Sequence, residues 1–204
     1  MTDFASRVTS SIQASIASKQ RLVADPALIS AISQAVVLFL QAFRTGNKVL
    51  FFGNGGSAAD AQHLAADLVG RFFLDRPALP AITLTANTSS LTAIANDYGF
   101  ERVFARQIEA LGRPGDIAVG ISTSGNSPNI LLGLSAAKKM GLYTVAMIGN
   151  PGGKLKQDPD IDLFLCAPSS ETPRIQECHI LMGHVVSELV EQELFHAQGR
   201  VSGS

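Results

Sequence analysis

From Phe4 to about Phe43 apolar residues return every three or four positions, first in FASRVTSSIQASI and then in PALISAISQAVVLFLQAF. That period predicts two amphipathic helices, broken near Asp25-Pro26, with Gly46-Asn47 closing the second. The pattern then changes to short unbroken apolar runs at 48–53 (KVLFFG), 80–84 (PAITL), 116–122 (DIAVGIS) and 143–149 (YTVAMIG), with a weaker run, DLFLC, at 162–166. Runs of that length without polar alternation are the mark of parallel strands covered on both faces. Helix-like stretches at about 57–72, 89–111, 127–140 and 172–196 separate them. Strand and helix therefore alternate, which predicts an α/β fold: a doubly wound, five-stranded, mainly parallel sheet flanked by helices, with two helices ahead of it.

The chain of 204 residues suits one domain. It divides into N-terminal helices (1–45), an α/β core (46–196) and a tail (197–204) ending in VSGS, expected to fray. No internal repeat or interdomain linker interrupts it. The apolar faces of the first two helices need more cover than a small sheet supplies, so an oligomer is expected.

Charge and cysteine content narrow the function. With 16 basic and 17 acidic residues the formal net charge is −1, and no basic arm or stripe suggests direct nucleic-acid binding. Cys166 and Cys178 sit in no CxxC cluster and read as two ordinary thiols of a reduced compartment. The N-terminus MTDFASRVTSSIQASIASKQ lacks the succession of a signal peptide. The longest apolar run, Ala35 to Leu40, falls far short of the roughly 20 residues that span a bilayer. A soluble, cytoplasmic protein with no membrane partner is expected.

Two loops carry candidate chemistry. Gly53-Asn54-Gly55-Gly56-Ser57 follows the first strand and opens onto the helix AADAQHLAADLVGRF. Glycines there allow a sharp turn and close approach of a ligand to free helix N–H groups. A plain strand-to-helix turn capped by Ser57 explains the same residues. The second loop is more specific: Ser122, Thr123, Ser124 and Ser127 crowd one helix start around Gly125, with Pro128 opening the helix. Hydroxyls and backbone N–H groups at the carboxyl edge of a sheet suit a phosphate without a lysine. A hydroxyl-rich cap is the alternative. Neither loop matches GxGxxG or GxxxxGK[ST], which argues against dinucleotides and nucleoside triphosphates.

His63 and Asp67, four apart on the helix after the glycine loop, share one face and can act on one ligand or metal, although such a pair alone is commonly a surface hydrogen bond. On the last helix Gln176 and His184 stand eight apart, some 80° around and ~12 Å along the axis. Both reach one ion only if their side chains lean together or come from different subunits. His179 and Cys178 read as packing residues, and Arg71 and Arg174 as surface groups or contacts to phosphate or a neighbouring subunit.

Taken together, GNGGSAADAQHLAADL, AIANDYGF, GISTSGNSPNIL and RIQECHILMGHVVSELVE resemble, in order and spacing, the SIS (sugar isomerase) family, a flavodoxin-like α/β fold, and specifically its phosphoheptose isomerases. The resemblance runs to about Phe195. It implies interconversion of sedoheptulose 7-phosphate and D-glycero-D-manno-heptose 7-phosphate on the way to bacterial surface polysaccharide, by a homotetramer with intersubunit sites and one zinc per subunit. By the same resemblance Asn54, Gly55, Gly56, Asn96 and Asp97 contact the sugar, with Ser57 in the same loop. Ser122, Thr123, Ser124 and Ser127 hold the phosphate. His63, Asp67, Gln176 and His184 ligate zinc, Gln176 also facing the substrate. Asp67 is then the base and His184 the acid or relay.

Position 67 departs from the family, which usually carries glutamate. Aspartate keeps the charge and shortens the reach by roughly 1–1.5 Å, and ~1 Å of misplacement can cost on the order of 100-fold in rate. Two other readings share these motifs: a non-catalytic SIS protein that binds the replication initiator DnaA, and an isomerase or sensor for another sugar phosphate. Retention of His63, Asp67 and His184 favours the enzyme.

Overall fold

The structure is a computed structural model, and residues 3–195 are described; the expected tail at 197–204 lies outside them. Two helices come first, α1 (Phe4–Val23) and α2 (Pro26–Arg44). Asp3 caps α1 by accepting from Ser6 N, and Asp25 caps α2 by accepting from Ala27 N and Leu28 N, with Pro26 supplying a ready-made helical φ. Five parallel strands follow: β1 (Val49–Gly53), β2 (Ala81–Thr83), β3 (Ile117–Ser122), β4 (Tyr143–Gly149) and β5 (Leu163–Ala167). Their order is β2-β1-β3-β4-β5, and every pair is parallel.

Alternate residues of each strand feed two separate cores, which is why the strands look uniformly apolar in the sequence. Val49, Phe51, Val119, Val145 and Met147 face α2, α3 (Gly56–Val69) and α7 (Thr172–Phe195). Leu50, Phe52, Ala118, Ala146 and Ile148 face α5 (Val103–Leu111) and α6 (Pro128–Lys139), with α4 (Thr88–Tyr98) at the margin. The chain leaves β1 toward β2 and leaves β3 toward β4, so the two loops diverge between adjacent strands, at the switch point where open α/β sheets bind ligands.

Two expectations change. The stretch expected to be helical over 89–111 is two helices parted by Gly99, whose φ of +88° no helix accommodates, and a 3₁₀ turn at Phe100–Arg102. Gly99 is favoured there because that left-handed backbone strains any residue with a Cβ. The helix expected over 57–72 stops at Val69, and residues 70–80 run irregularly to β2.

α2 is long and apolar enough to cross a membrane by length and composition alone, with a mean hydropathy of 1.7. Here its Leu28, Ile32, Ala35, Val36, Phe39 and Leu40 are buried against the sheet and α7. α1 is different: Phe4, Val8, Ile12 and Ile16 recur every fourth residue, and all are at least 50% exposed.

Candidate active site

α3 and α7 lie side by side and run in the same direction: a Cβ on Gly56 would strike Gln176, and one on Gly183 would strike Leu64. That alignment carries His184 to His63. Their Nε2 atoms are 2.9 Å apart, and Asp67 Oδ2 stands 3.6 Å from each. The i, i+4 spacing of His63 and Asp67 on α3 makes one corner of the triangle, and α7 closes it.

Asp67 Oδ2 is buried and has no hydrogen-bond partner. Burial pushes the Asp67 carboxyl above the usual carboxylate range, opposed by the nearby imidazoles of His63 and His184. A buried carboxylate oxygen left unpaired between two imidazole nitrogens is costly unless something cationic joins them. Tetrahedral zinc with ligands at 2.0–2.1 Å sets ligand atoms about 3.3 Å apart, close to the 2.9, 3.6 and 3.6 Å found here. The three residues fit a metal with an open position for substrate. The shorter carboxylate at position 67 reaches both histidines.

Gln176 lies elsewhere. It packs on Gly56 at the start of α3, about two helical turns from the histidines. Asn96 and Asp97 are exposed on α4, bonded to each other (2.8 Å). Among the described residues they make no hydrogen bond to either loop or to the histidine cluster. Arg174 bonds Glu177 and the Ser11 carbonyl, each at 2.7 Å, while Arg71 is exposed. His179 and Cys178 are fully buried packing residues.

The two loops are built for something other than capping. Asn87 caps α4, as Asp3 and Asp25 cap the first helices, but neither α3 nor α6 has a side-chain cap. Ser57, the cap in the simpler reading, is buried inside the first turn of α3. Ser127 bonds Ser122 Oγ (3.1 Å) instead of its own helix. Ser57 N and Ala58 N turn back to the Asn54 and Gly55 carbonyls and Ile130 N to that of Ser127, so among the described residues Gly56 N and Asn129 N are the first-turn amides left open to an anion or sugar oxygen. Within the second loop the Ser124 hydroxyl accepts from Asn126 N, and Thr123 is half-buried. Gly125 has a φ of +65°, and a Cβ there would overlap the Gly152 carbonyl. The segment after β4 supports this loop: Gly149 N donates to the Thr123 carbonyl (3.1 Å), and Leu155 N donates to that of Gly125 (3.0 Å).

One residue not anticipated from the sequence joins the loops. Asn129, buried at the start of α6, exchanges amide hydrogen bonds of 2.9 and 2.8 Å with Asn54 of the glycine loop. Both line a cleft with Ser127, Pro128, Phe100 and Glu101. Nothing in the sequence marks this asparagine apart from its place in SGNSPN.

A parallel doubly wound sheet with two uncapped helix starts at its switch point and a His/Asp/His cluster beside them defines a sugar isomerase (SIS) type of α/β domain, and the SIS domain model matches residues 12–149. A phosphoheptose isomerase of Clostridium acetobutylicum is 50% identical over 188 residues, covering 92% of this chain and 95% of that protein. One from Geobacter sp. is 56% identical over 168 residues, 82% of this chain and 86% of its own length. The solved structure of phosphoheptose isomerase GmhA from Neisseria gonorrhoeae superposes with a TM-score of 0.86 at 42% identity, over 93% of this chain and 99% of that one. This chain belongs to the phosphoheptose isomerase family of SIS-domain proteins.

Proposed function

We propose that this protein is a cytoplasmic aldose–ketose isomerase that converts sedoheptulose 7-phosphate to D-glycero-D-manno-heptose 7-phosphate, supplying heptose for a bacterial surface polysaccharide. The observation that carries the reading is the His63–Asp67–His184 triangle beside two ligand-ready loops.

The reaction moves one proton from C1 to C2 and another from O1 to O2, through an enediol. Asp67, kept basic by burial, removes the C1 proton and returns it to C2. His184 serves the two oxygens as acid and relay. Ser122, Thr123, Ser124 and Ser127, with the open backbone N–H of Asn129 in α6, fix the phosphate. Asn54, Gly55, Gly56 and Ser57 line the sugar, and Gln176 sits beside Gly56 to face it. Holding both ends of an open chain places C1 at the carboxylate, and that positioning supplies much of the rate. His63, Asp67 and His184 would hold a zinc ion, which would supply Lewis-acid polarisation of the carbonyl.

The assembly we propose is a homotetramer with shared sites. Its support is the exposed apolar stripe of α1, the placing of Gln176 at Gly56, about two helical turns from the histidines, and the exposure of Asn96 and Asp97, which bond only each other among the described residues. A neighbouring subunit would bring such groups to a pocket that one chain leaves incomplete.

The test is turnover of sedoheptulose 7-phosphate by protein stripped with chelator, with and without added zinc, alongside Asp67→Asn. Aldoheptose formed only with metal and lost in the variant supports the assignment. Sugar-phosphate binding without turnover would point instead to the non-catalytic, DnaA-binding type.

A further inference from the structure

The irregular connection after α3 contains a buried ion pair that the reaction does not use. Glu191 of α7 and Arg76 of the connection are each 1% exposed and meet at 2.8 Å. Glu191 also accepts from three successive amides, those of Phe72 (3.0 Å), Phe73 (2.6 Å) and Leu74 (2.9 Å). These donors, against the cost of burial, hold its carboxyl below the ordinary glutamate range. Arg76 spends three of its other four N–H groups on the carbonyls of Leu68 (2.9 Å), Pro77 (3.0 Å) and Asp67 (3.0 Å). A buried charge pair stabilises when most of its remaining donors and acceptors are matched, as both Glu191 oxygens and all but one Arg76 N–H are here.

The clasp touches the cluster twice. It binds the backbone carbonyl of Asp67, fixing the turn of α3 from which that carboxylate projects. It also pins Phe72, whose ring lies 5.5 Å from the His184 ring, opposite in role to His63 at 5.1 Å. Among the described residues the His184 side chain, 36% exposed, makes no hydrogen bond except that to His63, so ring contacts and the Asp67 carboxylate 3.6 Å away orient it.

We propose that Arg76, Glu191 and Phe72 are positioning residues for the His63–Asp67–His184 cluster, holding the three ligand atoms together before any ligand arrives. The proposal rests on the isomerase reading for its effect on rate, but its structural content stands apart from that reading. A residue that only staples the fold would alter stability without altering the order of His184.

Two variants separate these roles: Glu191→Gln, which removes the charge, and Phe72→Leu, which leaves the clasp and removes the ring. In metal-free protein, NMR relaxation of the His184 ring is expected to show one rotamer in the unaltered chain and exchange among several in Phe72→Leu. Zinc affinity, measured by competition with a chromophoric chelator, should fall about 10-fold, as for other outer-shell partners of metal ligands. The kcat should fall similarly while KM stays within about twofold, because the phosphate loop is untouched. A His184 ring that remains fixed in Phe72→Leu would overturn the proposal, even if Glu191→Gln fails to fold. If the unaltered protein neither binds zinc nor turns over, the isomerase reading falls and ring order alone decides this one.

Discussion

Asn54 and Asn129 exchange two amide hydrogen bonds, 75 residues apart in sequence, and so tie the glycine loop after β1 to the hydroxyl-rich loop after β3. In the proposed reading the pair is a spacer between the two ends of a sugar phosphate. Asn129→Ala leaves the half-buried amide of Asn54 without its partner, a loss of about 1–3 kcal/mol. In kcat/KM this should appear as about a 10- to 100-fold drop, with Asn54→Ala and the double variant no worse than the larger single effect. Independent, additive losses in that cycle would show that the two amides act separately.

Asp67→Asn keeps the shape of the side chain and removes the base. The kcat is expected to fall by about 10²–10⁴-fold, the span typical of a lost general base. Binding of inorganic phosphate, which needs only the second loop, should persist by calorimetry. Retained turnover would remove Asp67 from the proton-transfer step.

His179 has no exposed surface, donates from Nε2 to the Ile148 carbonyl at 3.1 Å, and leaves Nδ1 without a partner among the described residues. Burial lowers its pKa to about 4, with the Ile148 bond opposing. An unfolded histidine titrates near 6.5, so as pH falls from about 6.5 to about 4 the unfolded chain takes up a proton that the folded one refuses. Stability is full above that window and declines within it, by on the order of 3 kcal/mol at the acid end. Urea unfolding of metal-free protein at pH 7 and pH 5 should show the loss, and His179→Gln should flatten it.

Gly125 holds a left-handed backbone against the Gly152 carbonyl. Gly125→Ala adds both strain and overlap and should lower unfolding free energy by at least about 2 kcal/mol. It should also displace the Ser122–Ser127 hydroxyls, raising KM for the sugar phosphate more than about 10-fold. A normal KM in the folded variant would mean that the loop adapts.

Ile12→Asp with Ile16→Asp places charge in the middle of the α1 stripe. Light scattering should show the proposed tetramer falling to smaller species, with activity lost in proportion if neighbouring subunits complete the site. Unchanged mass would mean that the stripe is not the interface.

Much of this was legible in the chain itself. Parallel strands buried on both faces announce themselves as runs such as VLFF and IAVGI, and each loop follows its strand directly. The i, i+4 pair His63 and Asp67 was readable for the same local reason. The meeting of His184 with His63 was expected only through the family resemblance, because no periodicity specifies the parallel docking of α3 on α7 that brings it about. The same docking leaves Gln176 at Gly56 and buries Glu191 beneath residues 72–74, neither of which the sequence marks. The split at Gly99 escaped because apolar spacing continues across it, and the backbone angle alone imposes the break.

α7 is the last element of the described chain, and its partners in the site, residues 56–76, lie more than a hundred positions earlier. During synthesis the sheet can assemble strand by strand, but the histidine cluster and its clasp have no second half until the final helix has been made. The His63–His184 contact spans 121 residues, a long separation though shorter than the 163 between Ser11 and Arg174, and by the usual cost of closing long loops such contacts are among the last to form. A nascent chain with every strand in place would still expose the apolar face of α3 and the sheet beneath it, so the step that completes the enzyme is also the one that ends its exposure to aggregation.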